Sequence, residues 1–125
     1  MYICNVETKL MNNKFEIIFL QEVIDFFEQV DTKARDKIIF NIHKSQKAND
    51  NTLFKKLTDE IWEFRTLYSK KQYRLFAFWD KSDKIKTLVV ATHGIVKKTK
   101  KTPKKEIEKA EEIKKKYIIS KNNKL

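Results

Sequence analysis

Three β-prone segments lie in the second half of the chain. Residues 61–68 and 73–79 alternate between two sets of side chains, and residues 85–95 form a long β-branched run. The polar residues 69–72 predict a hairpin loop between the first two segments, and residues 80–84 predict the next turn. These three segments are therefore expected to form an antiparallel sheet.

The first half of the chain follows a helical period after one short strand. Residues 15–20 are bulky and β-branched, which predicts the first strand. From Gln21 onward apolar residues recur every three or four positions, and Asp31 and Thr32 can cap a second helix directly afterwards. This pattern predicts a helical hairpin that packs on the sheet.

The last regular element is predicted to be a helix that begins near Pro103. Thr102 can cap this helix and Pro103 suits its first position, while an apolar stripe continues to Tyr117. Residues 49–51 are a turn signal, and the apolar positions of 53–57 are expected in a connecting segment only. The predicted order is β-α-α-β-β-β-α, which is an α+β fold.

The net charge of the chain adds more to these predictions than any other property, because it indicates a class of partner. The chain has 28 Lys and Arg against 17 Asp and Glu, a formal net charge of +11. Such an excess attracts polyanions, so nucleic acid or an acidic protein is the expected partner. The alternative is a lysine-rich composition without functional meaning, but the excess is concentrated towards the C-terminal half.

The sequence also predicts the cellular compartment in which the protein is found. Its single cysteine, Cys4, excludes an internal disulfide and a Cys-based zinc cluster, which fits a reducing cytoplasm. No apolar run is long enough to span a bilayer, and the N-terminus lacks the pattern of a signal peptide. We therefore expect a cytoplasmic protein with no membrane partner.

Lysines are concentrated between positions 97 and 105, with no acidic residue among them. Lys104 and Lys105 fall in the first turn of the predicted helix, where the macrodipole favours Asp or Glu. Their presence there is explained if an anion such as phosphate binds at the helix start; the alternative is a solvated basic loop. The predicted nucleic-acid-binding lysines are Lys70, Lys71, Lys100, Lys101, Lys104 and Lys105.

Three other residues are candidates for chemistry. Arg65 and Arg74 can project from one face of an antiparallel pair, and their planar donors suit phosphate. The alternative is that each arginine pairs with a carboxylate such as Glu63 or Glu60. His93 in the last strand can serve as a general base near neutral pH, or can be a half-buried structural residue.

Gly94 is the only glycine of the chain, and it suggests a bulge or a close backbone approach at the end of the last strand. The sequence has no glycine-rich phosphate loop, no paired-histidine metal pattern and no nucleophile elbow. No metal site, cofactor or nucleotide-dependent activity is therefore expected.

Several of these residues together resemble a known family. Residues 61–65, the pair Tyr73-Arg74, the segment 93–103, and Ile107 with Ala110 are similar to the pattern I-W-E-L-R, Y-R, H-G-F-x-K-K-T-x-x-T-P and I-x-x-A. That pattern is typical of the phage-derived HigB-like branch of the RelE/ParE toxin superfamily. Phe64 for Leu and Ile95 for Phe are apolar exchanges, and the hairpin is lysine-rich where many relatives carry glycines.

The resemblance implies a toxin of a type II toxin–antitoxin system. Such toxins are similar to small, metal-independent endoribonucleases that cut mRNA, usually on the ribosome. The implied fold is a small twisted antiparallel sheet with an N-terminal helical hairpin and a C-terminal helix, in one domain spanning 1–125 with its core at about 15–119. The implied partners are mRNA, the ribosome and a cognate helix-turn-helix antitoxin.

The resemblance also implies residue roles. Arg74 matches the arginine of the Tyr-Arg pair and is assigned to the charge of the transition state, and Arg65 is assigned to a flanking phosphate. Lys97 and Lys98 are assigned to the phosphorane or the leaving oxygen. The base stays open between His93, a lysine of lowered pKa and ribosomal RNA.

Three further functions stay open at this point. The first is a non-catalytic basic module that binds RNA or the ribosome. The second is an inhibitor of DNA gyrase similar to ParE. The third is a decayed copy that retains only the binding of an antitoxin.

Overall fold

The computed structural model describes residues 13–82, 87–97 and 101–123, which form an α+β fold. In chain order the elements are β1 (Glu16–Phe19), α1 (Gln21–Gln29), α2 (Thr32–Lys47), β2 (Phe54–Lys56), β3 (Trp62–Tyr68), β4 (Lys71–Asp80), β5 (Leu88–Lys97) and α3 (Lys104–Asn123). The predicted fold class, the two successive N-terminal helices and the C-terminal helix are confirmed.

One sheet contains all five described strands, in the order β1-β5-β4-β3-β2. The pairs of β2 with β3, β3 with β4 and β4 with β5 are antiparallel, whereas β1 runs parallel to β5. The prediction of an antiparallel sheet therefore holds for four strands and is wrong for β1. The physical reason is that α1 and α2 carry the chain across the sheet, so β1 pairs with the last strand instead of the next one.

Two segments that were predicted to be irregular belong to strands. Residues 54–56 form the edge strand β2, although a connecting segment was predicted, because three residues with two lysines show no alternation that periodicity can detect. The predicted loop 69–72 is a two-residue turn in which Ser69 and Lys70 have φ of 51° and 66°. Positive φ at both central residues is the geometry that joins two twisted strands tightly, so Lys71 already lies in β4.

Each face of the sheet carries its own apolar core. The face towards α1 and α2 holds an aromatic cluster that includes Phe15, Phe54 and Phe64. The opposite face holds Ile61, Phe76, Phe78 and Val90, and α3 packs there through Ala110. Ala110 is the one residue of α3 that is fully buried among those described.

Polar contacts also attach α3 to the sheet. Glu106 in its first turn lies 3.1 Å from Nε2 of His93 on β5. Near its other end, Tyr117 and Lys121 donate hydrogen bonds of 2.8 and 2.6 Å to Oδ2 of Asp80. None of the helices within the described ranges combines the length and apolar content needed to cross a membrane.

Gly94 marks a close approach, as predicted, although side chains and not backbone make it. A Cβ added at Gly94 would lie 2.5 Å from the ring of Phe26 and 2.6 Å from a methyl group of Leu75. The irregularity in the β4–β5 pairing falls elsewhere, between Phe76 and Ala77. The absence of a side chain at Gly94 thus lets α1 pack closely on β5.

Candidate nucleic-acid interface

The turn at residues 69–70 sets the register of β3 and β4. Arg65 and Arg74 lie directly opposite each other in this register, with Ile95 of β5 beyond Arg74. Residues opposite each other in an antiparallel pair share a face, so both arginines point to the face that α3 covers. Like charges at such positions repel each other, and the pair therefore requires an anion nearby.

Glu63 is that anion. Its Oε1 lies 3.4 Å from Nε of Arg74 and its Oε2 lies 3.7 Å from Nε of Arg65, while its side chain is 3% exposed. The sequence left open whether the arginines meet a phosphate or pair with a carboxylate such as Glu63. In the structure the carboxylate of Glu63 forms an ion pair with each of the two arginines.

Two further residues connect β5 and the start of α3 to this carboxylate. The hydroxyl of Thr102 donates a hydrogen bond of 2.8 Å to Oε1 of Glu63, and Nζ of Lys97 donates one of 3.2 Å to Thr102. Arg65, Arg74 and Lys97 are thus brought together in the structure, and their roles stay a prediction. We refer to Glu63, Arg65, Arg74, Lys97 and Thr102 as the Glu63 cluster.

Burial distinguishes the cations of the Glu63 cluster from each other. Arg74 is 3% exposed and Lys97 is 7% exposed, whereas the side chain of Arg65 is 28% exposed. Burial lowers the pKa of Arg74, and the charge of Arg65 adds to this effect while Glu63 opposes it. Burial also lowers the pKa of Lys97, and the charge of Arg74 acts in the same direction.

The hydrogen bonding of the two arginines is incomplete within the described residues. Nη2 of Arg74 donates to the side-chain oxygen of Gln72. However, the Nε–H groups of Arg65 and Arg74 are both buried and have no hydrogen-bond acceptor among the residues that the structure describes. An arginine normally aligns its donors with a carboxylate in two parallel bonds, and Glu63 does not provide that arrangement.

The remaining predicted lysines that the structure describes are exposed. They are Lys70, Lys71, Lys101, Lys104 and Lys105. Lys71 lies three residues along β4 from Arg74, a distance of about 10 Å, and Lys101 directly precedes Thr102. Lys98 and Lys100 lie outside the described residues. Exposed lysines therefore flank the Glu63 cluster along the chain.

His93 lies apart from this cluster. It is 2% exposed and stacks on Phe76, with the ring centroids 4.9 Å apart. Glu63, Phe76 and His93 are in register on three neighbouring strands, which places His93 about 10 Å from Glu63. Its role as a general base stays a prediction.

Both ring nitrogens of His93 have partners. Nδ1 lies 2.9 Å from the hydroxyl of Thr92, and Nε2 lies 3.1 Å from Oε1 of Glu106. Burial lowers the pKa of His93, and the hydrogen bond with Glu106 opposes this effect. Through its contact with Glu106, His93 therefore links β5 to α3.

Sequence reasoning missed two members of the site. Thr102 was interpreted only as a helix cap, and Glu63 only as a neutralising neighbour of one arginine. The available signal was their position within the two segments that carry the family resemblance, 61–65 and 93–103. Within the described ranges, no group of three or more His, Cys, Asp and Glu side chains is arranged to hold a metal ion.

Comparison with known proteins identifies a family that the chain matches. The sequence profile of the family described as "Phage derived protein Gp49-like" matches residues 25–115. This range includes α1 in part, α2, all strands from β2 to β5 and the whole Glu63 cluster. No curated protein matches the chain.

Proposed function

The chain belongs to the family of phage-derived Gp49-like proteins, which is associated with toxins of toxin–antitoxin systems, and on this premise we propose that it is an mRNA-cleaving toxin. In this proposal the protein is an endoribonuclease that acts on translated mRNA at the ribosome. A cognate helix-turn-helix antitoxin binds and silences it.

The observation that carries this proposal is the convergence of Arg65, Arg74 and Lys97 around Glu63. Three cations against one carboxylate leave two net positive charges in a largely buried cluster. RNA cleavage by this route needs such a site, because the phosphorane that forms in the transition state carries more negative charge than the starting phosphate. The exposed lysines around the cluster supply the attraction for the neighbouring phosphates.

In this proposal each cation has its own role in the cleavage of RNA. The 2′ oxygen of a ribose attacks the adjacent phosphorus, its proton passes to a base, and the bond from phosphorus to the 5′ oxygen breaks, leaving a cyclic phosphate and a 5′ hydroxyl. Arg65, the more exposed arginine, contacts the entering phosphate, and Arg74 stabilises the phosphorane behind it. Each preorganised donor of this kind contributes about 3 kcal/mol to transition-state stabilisation.

Lys97 is assigned to the leaving oxygen. Its pKa is lowered, first by burial, and an ammonium group with a lowered pKa transfers its proton to the 5′ oxygen more readily than an ordinary lysine. Lys98, which lies outside the described residues, is assigned with Lys97 to the phosphorane or the leaving oxygen. The base for the 2′ hydroxyl is assigned to a group outside the Glu63 cluster: His93 or ribosomal RNA.

The test compares arginine variants in growing cells and on translating ribosomes. Arg74→Ala would leave a cavity and remove the nearer cation from the buried carboxylate of Glu63, since Arg74 is 3% exposed. We therefore choose Arg65→Lys and Arg74→Lys, which keep the charge and remove the planar donors. Arg35→Lys on α2 is the matched control.

The expected result is that both cluster variants relieve growth arrest and slow mRNA cleavage by about a hundredfold, as loss of one transition-state donor does. Arg35→Lys should arrest growth and cleave mRNA like the wild type. The measurement is the mapping of new mRNA 5′ ends on translating ribosomes. Folded Arg74→Lys protein that cleaves at the wild-type rate would show that the assignment is wrong.

The burial of Arg74 and Lys97 favours one second candidate, a basic module that binds RNA or the ribosome without cutting. In that case the exposed lysines alone engage the phosphates, and the Glu63 cluster serves only the fold. Wild-type protein would then inhibit translation without creating new mRNA ends. The same mapping experiment therefore distinguishes the two functions.

A further inference from the structure

The Glu63 cluster contains more hydrogen-bond donors than its one carboxylate can use. Each guanidinium has five N–H groups, which makes ten for the two arginines together. Glu63 lies 3.4 Å from Arg74 and 3.7 Å from Arg65, whereas charge-assisted N–H···O bonds are usually about 2.7–2.9 Å long. The buried Nε–H groups of both arginines consequently lack an acceptor among the described residues.

The shortest hydrogen bond of Glu63 within the described residues comes from a neutral group. The hydroxyl of Thr102 approaches Oε1 to 2.8 Å, closer than either arginine. The carboxylate is therefore held by the segment that precedes α3, while the arginines attract it only at a distance. This arrangement is the opposite of a firm ion pair, in which the arginine fork fixes the carboxylate.

A phosphodiester fits this set of donors better than Glu63 does. Its tetrahedral phosphorus directs oxygens towards several donors at once, so it can accept from Arg65 and Arg74 together. Glu63 is 2% exposed and Arg74 is 3% exposed, so a phosphate reaches Arg74 only if the carboxylate moves away. Two anions side by side would also repel each other, which favours exchange over joint occupancy.

We propose that Glu63 is an internal counter-anion that holds the place of the RNA phosphate and is displaced when RNA binds. The proposal rests on the proposed function, since it takes the Glu63 cluster as the phosphate site. It makes Glu63 a determinant of affinity that opposes binding, and not a residue that contacts RNA. In the free protein Glu63 limits the repulsion between Arg65 and Arg74.

The experiment measures RNA affinity as a function of salt concentration. The probe is a short single-stranded 2′-O-methyl RNA, which lacks the 2′ hydroxyl and so cannot be cut. The variants are Glu63→Gln, which removes the charge at nearly constant shape, and Glu60→Gln as its matched control. Glu60 changes the net charge equally, but it is exposed and pairs with Lys114 at 2.9 Å, outside the cluster.

For Glu63→Gln we expect the Kd to decrease about tenfold at moderate salt, because one repulsive charge a few ångströms from the phosphate is removed. The log–log salt dependence should become steeper by about 0.7, the increment for one more phosphate charge neutralised on a single strand. Glu60→Gln should leave the slope unchanged. A purely structural role of Glu63 would lower the melting temperature without steepening the slope.

Folded Glu63→Gln protein with an unchanged or weaker affinity overturns the proposal. If this variant does not fold, Thr102→Val provides the test, because it removes the hydrogen bond that holds Glu63 and leaves its charge in place. It should lower the Kd about threefold with an unchanged slope, and an unchanged or higher Kd would again overturn the proposal. Wild-type protein that neither binds nor cleaves RNA would instead refute the proposed function itself.

Discussion

The attachment of α3 to the sheet can be tested at Asp80. Its Oδ2 accepts hydrogen bonds of 2.8 Å from Tyr117 and 2.6 Å from Lys121, and its Oδ1 accepts from Ser82. Asp80→Asn keeps the shape and the Oδ1 acceptor but replaces Oδ2 with an amide that cannot accept. The substitution therefore removes the charged acceptor of both contacts to α3 and leaves the turn at Ser82 in place.

The magnitude follows from burial. Asp80 is 7% exposed, so its bond with Tyr117 counts as a hydrogen bond to a buried charge, which contributes about 1.5–3 kcal/mol. The side chain of Lys121 is 42% exposed, so its ion pair adds only about 0–1 kcal/mol. We expect a loss of about 2 kcal/mol, which for a chain of this length corresponds to a decrease in Tm of about 8 °C.

The dependence on pH provides a second readout. Burial opposes ionisation of Asp80, but hydrogen bonds from Lys121, Ser82 and Tyr117 outweigh it and lower the pKa of Asp80 far below its usual range. A carboxyl whose pKa is lowered in the folded state stabilises the fold fully above its unfolded pKa of about 3.9, and this stabilisation is lost as the pH falls below that value. The difference between the wild type and Asp80→Asn should thus stay constant from about pH 7 to 5 and shrink below about pH 4.

The assay is thermal unfolding by circular dichroism across this pH range. Asp59→Asn is the matched control, because it removes the same charge from a fully exposed side chain that lies 3.8 Å from Lys56. We expect the control to change stability by less than about 0.5 kcal/mol. Equal losses in the two variants, or a difference that already vanishes between pH 7 and 5, would refute the reasoning.

Three further predictions concern the core and the interface. Gly94→Ala places a methyl group 2.5 Å from the ring of Phe26 and should destabilise the fold by about 1–3 kcal/mol, and an unchanged Tm in scanning calorimetry would contradict this. Replacing both Lys104 and Lys105 by Gln should reduce the log–log salt slope of RNA binding by about 1.4, and an unchanged slope would mean that neither lysine faces RNA. Because burial lowers the pKa of Lys97, single-turnover cleavage should decline as the pH rises through that lowered pKa. Lys97→Arg keeps the charge but cannot release its proton, so it should slow cleavage and remove this decline at high pH, and a pH profile identical to that of the wild type would exclude Lys97 as the acid.

The arginine pair shows what alternation along a strand can predict. Once residues 61–68 and 73–79 were interpreted as neighbouring strands, the period of two placed Arg65 and Arg74 on the same face. The structure sets them directly opposite each other. This result depends only on local geometry and one short turn, so sequence reasoning could reach it.

Long-range contacts were beyond the same reasoning. Glu63 was considered as a partner for one arginine, but its hydrogen bond with Thr102 joins residues 39 positions apart. The parallel pairing of β1 with β5 likewise joins the first and the last of the described strands in chain order. A periodic pattern indicates that a segment is a strand or a helix, but it contains no information about which distant segment will cover it.

The burial of the Glu63 cluster bears on the question of why it is ionic at all. The desolvation of a buried charge costs several kcal/mol, and well-packed apolar residues usually stabilise a fold as well as a buried ion pair does. Further along β4, the same face of the sheet is packed with apolar residues instead. There Phe78 belongs to one buried cluster with Ala110 of α3. Stability alone therefore gives no reason for three cations around one carboxylate. The proposed binding of a phosphate gives a reason, because a charged and incompletely satisfied site attracts anions into a place from which water is largely excluded.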